Sequence, residues 1–92
     1  MPELTMRIIW PDGAADSVYS PSTVLARRFT AGETLELAAF VARVGDALQA
    51  ASARVEQVYG RPCSRALAEN ARLDAIAADM PAGVVRIETV GA

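Results

Sequence analysis

One long amphipathic pattern in the middle of this chain constrains its fold most strongly. Apolar residues recur at steps of three and four from Leu35 or Leu37 to Tyr59, which is the spacing of one buried face of an α-helix. Gly45 lies inside the pattern, and we interpret it as a position where a second element packs closely. Gly60 ends the predicted helix, so the other elements of this 92-residue chain must pack around it.

Two shorter helices are predicted on either side of the long one. The first spans Pro21–Phe29, with Ser20 as its cap and the proline at the first helical position, where proline is favoured. The second follows a proline break and runs from Cys63 or Ser64 to Asp79. The helical part of the fold therefore consists of two or three helices.

Three segments show the patterns of β-strands. Leu4–Trp10 alternates apolar and polar residues and ends in a Pro-Asp-Gly turn. Ala14–Tyr19 returns as the second strand of a hairpin, and Val84–Val90 is the last strand, expected to pair with the first. The sequence predicts the α+β class, with a small antiparallel sheet packed against two or three helices in one domain spanning residues 1–92.

The large apolar residues, rather than the many alanines, must form the core. Hydrophobic residues make up 52% of the chain, but alanine buries little area per residue. The expected core residues are Ile8, Trp10, Leu25, Phe29, Phe40, Val44, Leu48, Val55, Leu67, Ile76 and Ile87.

Composition excludes several classes of function. The chain has no histidine and one cysteine, which excludes Ser-His-Asp and Cys-His catalytic pairs, histidine zinc sites and an internal disulfide. A net charge of −2 argues against nucleic-acid binding. No signal segment and no membrane helix are recognisable. We therefore expect a cytoplasmic protein without a cofactor or metal, and we favour a non-enzyme over an enzyme.

Cys63 is the strongest candidate for chemistry. It lies at the predicted start of the second short helix, between Arg61 and Arg65. The helix dipole, the unpaired backbone N–H groups and the two cations all favour a thiolate, so these arginines are candidate thiol-supporting or anion-contacting residues. The alternative is that Cys63 is a small buried residue that fixes the helix start, because unpaired cysteine is among the most buried residue types.

Further candidate binding residues lie in two loops. Trp10 and Asp12 would present an aromatic ring and a carboxylate at a loop tip, or else form a turn with the ring packed on the sheet. Tyr19, Ser20 and Ser22 bring hydroxyl groups to a predicted helix N-terminus, which can bind an anion. Helix capping accounts for the same three residues without a ligand.

Four segments in this order resemble one family of small bacterial proteins. They are Trp10-Pro11-Asp12-Gly13, Tyr19-Ser20-Pro21-Ser22, Ala51-Ser52-Ala53-Arg54-Val55 and Tyr59-Gly60-Arg61-Pro62-Cys63-Ser64-Arg65-Ala66. Together they are similar to the nitrogen starvation response proteins of the mycobacterial type, and the similarity extends over nearly the whole chain. The resemblance implies a gene cluster containing a nitrilase and a role in nitrogen metabolism. It assigns no reaction and no catalytic residue.

Three functions are compatible with the sequence. The preferred one is an accessory or interaction protein that binds a partner encoded nearby or a second copy of itself, which predicts an exposed apolar patch. The second is a thiol-dependent carrier or redox module that uses Cys63. The third is a regulator that binds a small molecule between the sheet and the helices, with Arg28, Tyr19 or Tyr59 as contacts.

Overall fold

A computed structural model describes residues 3–91 of the chain. The elements in order are β1 (Leu4–Ile9), β2 (Ala15–Ser20), α1 (Val24–Arg28), β3 (Thr34–Glu36), α2 (Leu37–Tyr59), α3 (Ser64–Ala78) and β4 (Val84–Val90). The strands form one antiparallel sheet in the order β2-β1-β4-β3. The predicted α+β class is confirmed, and so is the pairing of the last strand with the first.

The N-terminal hairpin follows from a tight turn between β1 and β2. The Trp10 N–H donates to the carbonyl of Ala14 at 2.8 Å, and the Ala14 N–H donates to Asp12 Oδ1 at 2.9 Å. Gly13 has a φ of 90°, which glycine adopts without the steric cost of a Cβ. Leu4 then pairs with Ser20, and Ile9 with Ala15.

A bulge interrupts the pairing of β1 with β4. Ile8 pairs with Ile87, whereas Arg7 pairs with Thr89, so one extra residue of β4 lies between the two pairs. Val85 and Ile87 are buried before the bulge, and beyond it the alternation shifts by one residue. Thr89 is exposed.

The sheet has a fourth strand that the sequence pattern does not predict. The helical pattern places Leu35 either at the start of the long helix or just before it. In the structure, Leu35 is buried in β3 and pairs with Val85. Three residues are too few to show an alternation of their own. β3 is recognisable only through its partner β4, which lies about 50 residues further along the chain.

The first helix is shorter than predicted. It begins at Val24, so Ser20 is not its cap and Pro21 is not at its first position. The Ser20 hydroxyl instead donates to the carbonyl of Ser22 at 2.8 Å, and Ser22 Oγ accepts the Val24 N–H at 3.3 Å. These bonds hold the segment as a turn that leads into α1.

The helices cover one face of the sheet, and the core lies between them. Met6 and Ile8 of β1 are fully buried against α2, where Phe40 and Leu48 are fully buried as well. The Trp10 ring meets Phe40 edge-on, with ring centroids 5.6 Å apart and an interplanar angle of 83°. The space between the sheet and α2, where the sequence placed a possible small-molecule pocket, is occupied by these side chains.

Gly45 allows α3 to approach α2, as predicted. A Cβ at this position would lie 3.3 Å from the Asn70 Oδ1 atom. α3 buries Ala66 and Leu73, so the prediction that Leu67 belongs to the core is wrong: its side chain is 46% exposed.

α2 is longer than the sheet that it covers. Its 23 residues span about 34 Å, whereas a strand of 6 residues spans about 20 Å. All buried residues of α2 lie between Phe40 and Ser52, so its last turns extend past the sheet. Among residues 3–91, no helix combines the length and the hydropathy needed to cross a bilayer.

Candidate functional site

The last turn of α2 and the first turn of α3 enclose an open groove, which we call the hairpin groove. Its lining includes Val55, Tyr59, Arg61, Cys63, Ser64 and Arg65, and its volume is about 510 Å³. The groove forms because α2 extends past the sheet while Gly60, with a φ of 83°, turns the chain back into α3. Four of the predicted site residues, Tyr59, Arg61, Cys63 and Arg65, therefore lie together.

Cys63 is the residue that precedes the first turn of α3. Its backbone N–H donates to the hydroxyl of Ser52 at 3.1 Å, and Ser52 itself is buried in α2. This bond fixes the start of α3 against α2. No side chain caps the helix, and the Cys63 residue is half-buried. The thiol is thus neither in the core nor fully in solvent.

Tyr19 joins the hairpin groove through Arg65. The Arg65 guanidinium lies over the Tyr19 ring at 3.7 Å from its centroid, a cation–π contact between α3 and β2. The Tyr19 hydroxyl lies 3.4 Å from Glu3 Oε1. Partial burial, together with the negative charge of Glu3, raises the pKa of Tyr19 despite the opposing charge of Arg65. The phenol therefore stays protonated at neutral pH.

A second cluster, the edge network, consists of Asp16, Glu69 and Arg72 and binds the open edge of β2. Glu69 Oε2 accepts the backbone N–H of Tyr19 at 2.8 Å, and Arg72 Nη2 donates to the carbonyl of Ser17 at 2.9 Å. Arg72 also pairs with Asp16 at 3.0 Å and with Glu69 at 2.7 Å. The α3 side chains thus occupy backbone groups that would otherwise be open to another strand.

The edge network shifts the pKa values of all three of its side chains. Burial alone would raise the pKa of Asp16, but hydrogen bonds from Trp10, Arg72 and the Ser17 N–H together lower it. Burial would also raise the pKa of Glu69, but the hydrogen bonds from Arg72 and the Tyr19 N–H outweigh burial and lower this pKa. The bond to Glu69 is the main cause of a raised pKa at Arg72. All three groups are therefore charged at neutral pH.

The other predicted site residues lie elsewhere. Trp10 is 3% exposed, and its Nε1–H donates to Asp16 Oδ2 at 3.0 Å, so the ring is part of the core and not of a loop tip. Asp12 is exposed at the hairpin turn. Ser20 and Ser22 are buried in their own turn. None of these four residues reaches the hairpin groove.

Sequence reasoning missed the role of Glu69 and Arg72. An acidic residue within a helix, such as Glu69, is expected on a solvated face, but the Glu69 side chain is only 12% exposed. The one signal in the sequence is the spacing of three between these two residues, which allows them to pair on one helix face. That spacing does not reveal the contact with β2, whose residues lie about 50 positions earlier.

The hairpin groove combines a thiol, two guanidinium groups and two hydroxyl groups. It lacks a general base of the usual kind because the chain has no histidine. Among the described residues, no group of three or more Cys, Asp or Glu side chains could hold a metal ion. The arrangement can bind an anionic or apolar surface and can present a thiol at its mouth.

Comparison with known proteins gives one match. No curated protein and no solved structure matches the chain. One family, described as nitrogen starvation-induced protein NitG, matches residues 5–90, which cover the elements from β1 to β4 except Leu4, the first residue of β1. The resemblance deduced from the four short segments is confirmed by this match. The chain belongs to the family of the nitrogen starvation-induced protein NitG.

Proposed function

We propose that this protein is a non-catalytic accessory protein of bacterial nitrogen metabolism, which works in the cytoplasm by binding a partner protein encoded nearby. The family match supports the metabolic context. The lack of histidine and of an acid–base pair supports a role without catalysis. The hairpin groove and the end of α2 beside it would be the binding surface.

The support for this surface comes from the exposed end of α2. Val58 is 54% exposed and Tyr59 is 60% exposed, on turns that extend past the sheet. Val55 continues this apolar surface into the hairpin groove. Apolar surface that is contiguous and open to water is typical of a protein-binding site, since a partner removes it from water. Arg61 and Arg65 would form a polar rim around it.

The test compares two exposed valines at opposite ends of the molecule. Val58→Asp alters the proposed surface, whereas Val84→Asp alters a valine of similar exposure, 51%, at the start of β4. Each variant replaces the native protein in nitrogen-starved cells of its host, and crosslinked partners are identified by mass spectrometry.

We expect the native protein and Val84→Asp to recover one defined partner in similar amounts. Val58→Asp should recover at least about tenfold less of that partner. Growth of a deletion strain under nitrogen limitation should follow the same order. Equal recovery of the partner with both variants would contradict the proposal.

A thiol-dependent carrier or redox module is the second candidate, favoured by the half-buried position of Cys63 between Arg61 and Arg65 in the hairpin groove. The rate of alkylation by iodoacetamide across pH tests it, with Cys63→Ser as the unlabelled control. A fast reaction with a midpoint well below the value of about 8.5 for an ordinary thiol supports this role. A slow reaction with an ordinary midpoint excludes it.

A further inference from the structure

A second groove, between α1 and α2, contains three arginines and no acidic residue. Arg27 and Arg28 reach it from α1, and Arg54 and Gln57 reach it from α2. Ala50 and Ala53 also line this groove, whose volume is about 370 Å³. We call it the arginine groove. It lies on the opposite side of the α2 end from the hairpin groove, and no residue lines both.

The three arginines differ from the arginines that the fold uses. Arg43 pairs with Glu33 at 2.8 Å, and Arg72 pairs with two carboxylates. Within residues 3–91, Arg27, Arg28 and Arg54 have no acidic group within 4.0 Å. Glu33 already binds Arg43, whose guanidinium also donates to the Arg28 carbonyl at 3.1 Å.

The sequence around Arg54 offers it no partner on its own helix. The residues three and four positions away are Ala50, Ala51, Gln57 and Val58, none of which carries a charge. The chain carries 11 acidic and 9 basic residues, so acidic groups are plentiful, yet none lines this groove. Three like charges that line one groove without a counter-charge repel one another, and a bound anion would reduce that repulsion.

Helix electrostatics account for only part of the cluster. Arg27 and Arg28 lie in the last turn of α1, where cations interact favourably with the helix dipole. Arg54 is not in the last turn of α2, which contains no basic residue. Its position beside the other two therefore needs another explanation.

We propose that the arginine groove binds a small phosphorylated molecule. Planar guanidinium groups donate pairs of hydrogen bonds that match the oxygen atoms of a phosphoryl group. Ala50 and Ala53 leave the groove open between the arginines, and the Gln57 amide can bond to the remainder of the ligand. The groove is of a size that suits a small ligand. The proposal is independent of partner binding at the hairpin groove.

The test uses pyrophosphate as the probe on the purified full chain. Binding is followed by isothermal titration and by the rise in melting temperature at constant ionic strength. The test variant is Arg27→Gln with Arg54→Gln. The matched control is Arg7→Gln with Arg86→Gln, which removes two exposed arginines from strands outside the groove. Circular dichroism verifies that both variants fold.

We expect pyrophosphate to bind the native protein and the control equally, and the test variant at least about tenfold more weakly. Loss of binding in both variants would mean that binding reflects overall charge, and loss in neither would mean that pyrophosphate binds outside this groove, so either outcome would overturn the proposal. Citrate at the same ionic strength tests the class of anion, and tighter binding of citrate than of pyrophosphate would overturn the phosphoryl assignment. The partner recovery described above is a separate measurement, so either proposal can fail alone.

Discussion

Two regions that α3 contacts, the edge network along β2 and the hairpin groove, differ in how their charged side chains are paired. Along β2, the edge network pairs Arg72 with Asp16 and Glu69 and satisfies the backbone of an open strand. At the hairpin groove, neither Arg61 nor Arg65 forms an ion pair within residues 3–91, and Arg65 stacks on Tyr19. The fold therefore depends on the charges of the first region and leaves those of the second available for binding.

Among the charged side chains, Arg72 should give the largest loss of stability when it is replaced. Arg72→Ala leaves Asp16 and Glu69 partly buried without their shared cation and leaves the Ser17 carbonyl without its donor. The Arg72 side chain is 40% exposed, so water screens its ion pairs, and we expect a loss of about 1–2 kcal/mol in the free energy of unfolding. Arg61→Ala, at the hairpin groove, should change it by less than about 0.5 kcal/mol. Urea denaturation measures both, and equal losses would contradict the division of roles.

The edge network should also make stability depend on acid pH. The pKa values of Asp16 and Glu69 are lower in the folded chain than their ordinary values of about 3.9 and 4.3. Because the unfolded chain then binds protons more readily, stability is complete above about pH 5 and falls as pH decreases through those ordinary values. We expect Glu69→Gln to reduce the difference in the free energy of unfolding between pH 7 and pH 3 by about 1 kcal/mol.

Asp74→Asn is the matched control for this measurement, since Asp74 is an exposed carboxylate of the same helix outside the network. The free energy of unfolding is compared at several values between pH 3 and pH 7. Glu69→Gln should flatten the acid slope, and Asp74→Asn should keep it. A slope that survives Glu69→Gln unchanged would mean that the edge network contributes little.

The contrast between these regions explains which parts of the structure the sequence could predict. The bounds of α2 and β1 could be predicted nearly to the residue, because each contains a repeat of apolar residues. In α2 the repeat includes Phe40, Val44 and Leu48, and in β1 it includes Leu4 and Met6. β3 was missed because its three residues carry no repeat. Local patterns report which face is buried, and they do not report which distant strand will pair.

The candidate residues divide in the same way. Cys63, Arg61 and Arg65 were identified together because they are neighbours in sequence at a helix start. The edge network was missed because Glu69 meets the Tyr19 backbone only after folding. The arginine groove likewise depends on the packing of α1 against α2. Sequence spacing predicts sites within one element, and sites between elements require the fold.

The contact between Tyr19 and Arg65 connects the two regions and should have an intermediate effect. A double-mutant cycle with Tyr19→Leu and Arg65→Ala isolates the cation–π term, and we expect a coupling of about 0.5–1 kcal/mol. The guanidinium lies 3.7 Å from the ring centroid, so the stacking is close. A cycle of Tyr19→Leu with Arg61→Ala serves as the control and should show no coupling. Coupling of the same size in both cycles would indicate a general effect of charge.

Val58→Asp, at the proposed partner-binding end of α2, should have the smallest effect on stability although it should have a large effect on partner binding. Val58 is 54% exposed, so Val58→Asp removes little buried area and should change the free energy of unfolding by less than about 0.5 kcal/mol. Val44, which is fully buried on the same helix, gives the opposite case, and Val44→Ala should cost about 2–3 kcal/mol. If Val58→Asp destabilised the chain as much as Val44→Ala, the end of α2 would belong to the core and its loss of partner binding would reflect unfolding. A stable Val58→Asp protein that no longer binds its partner would assign this end of α2 to recognition.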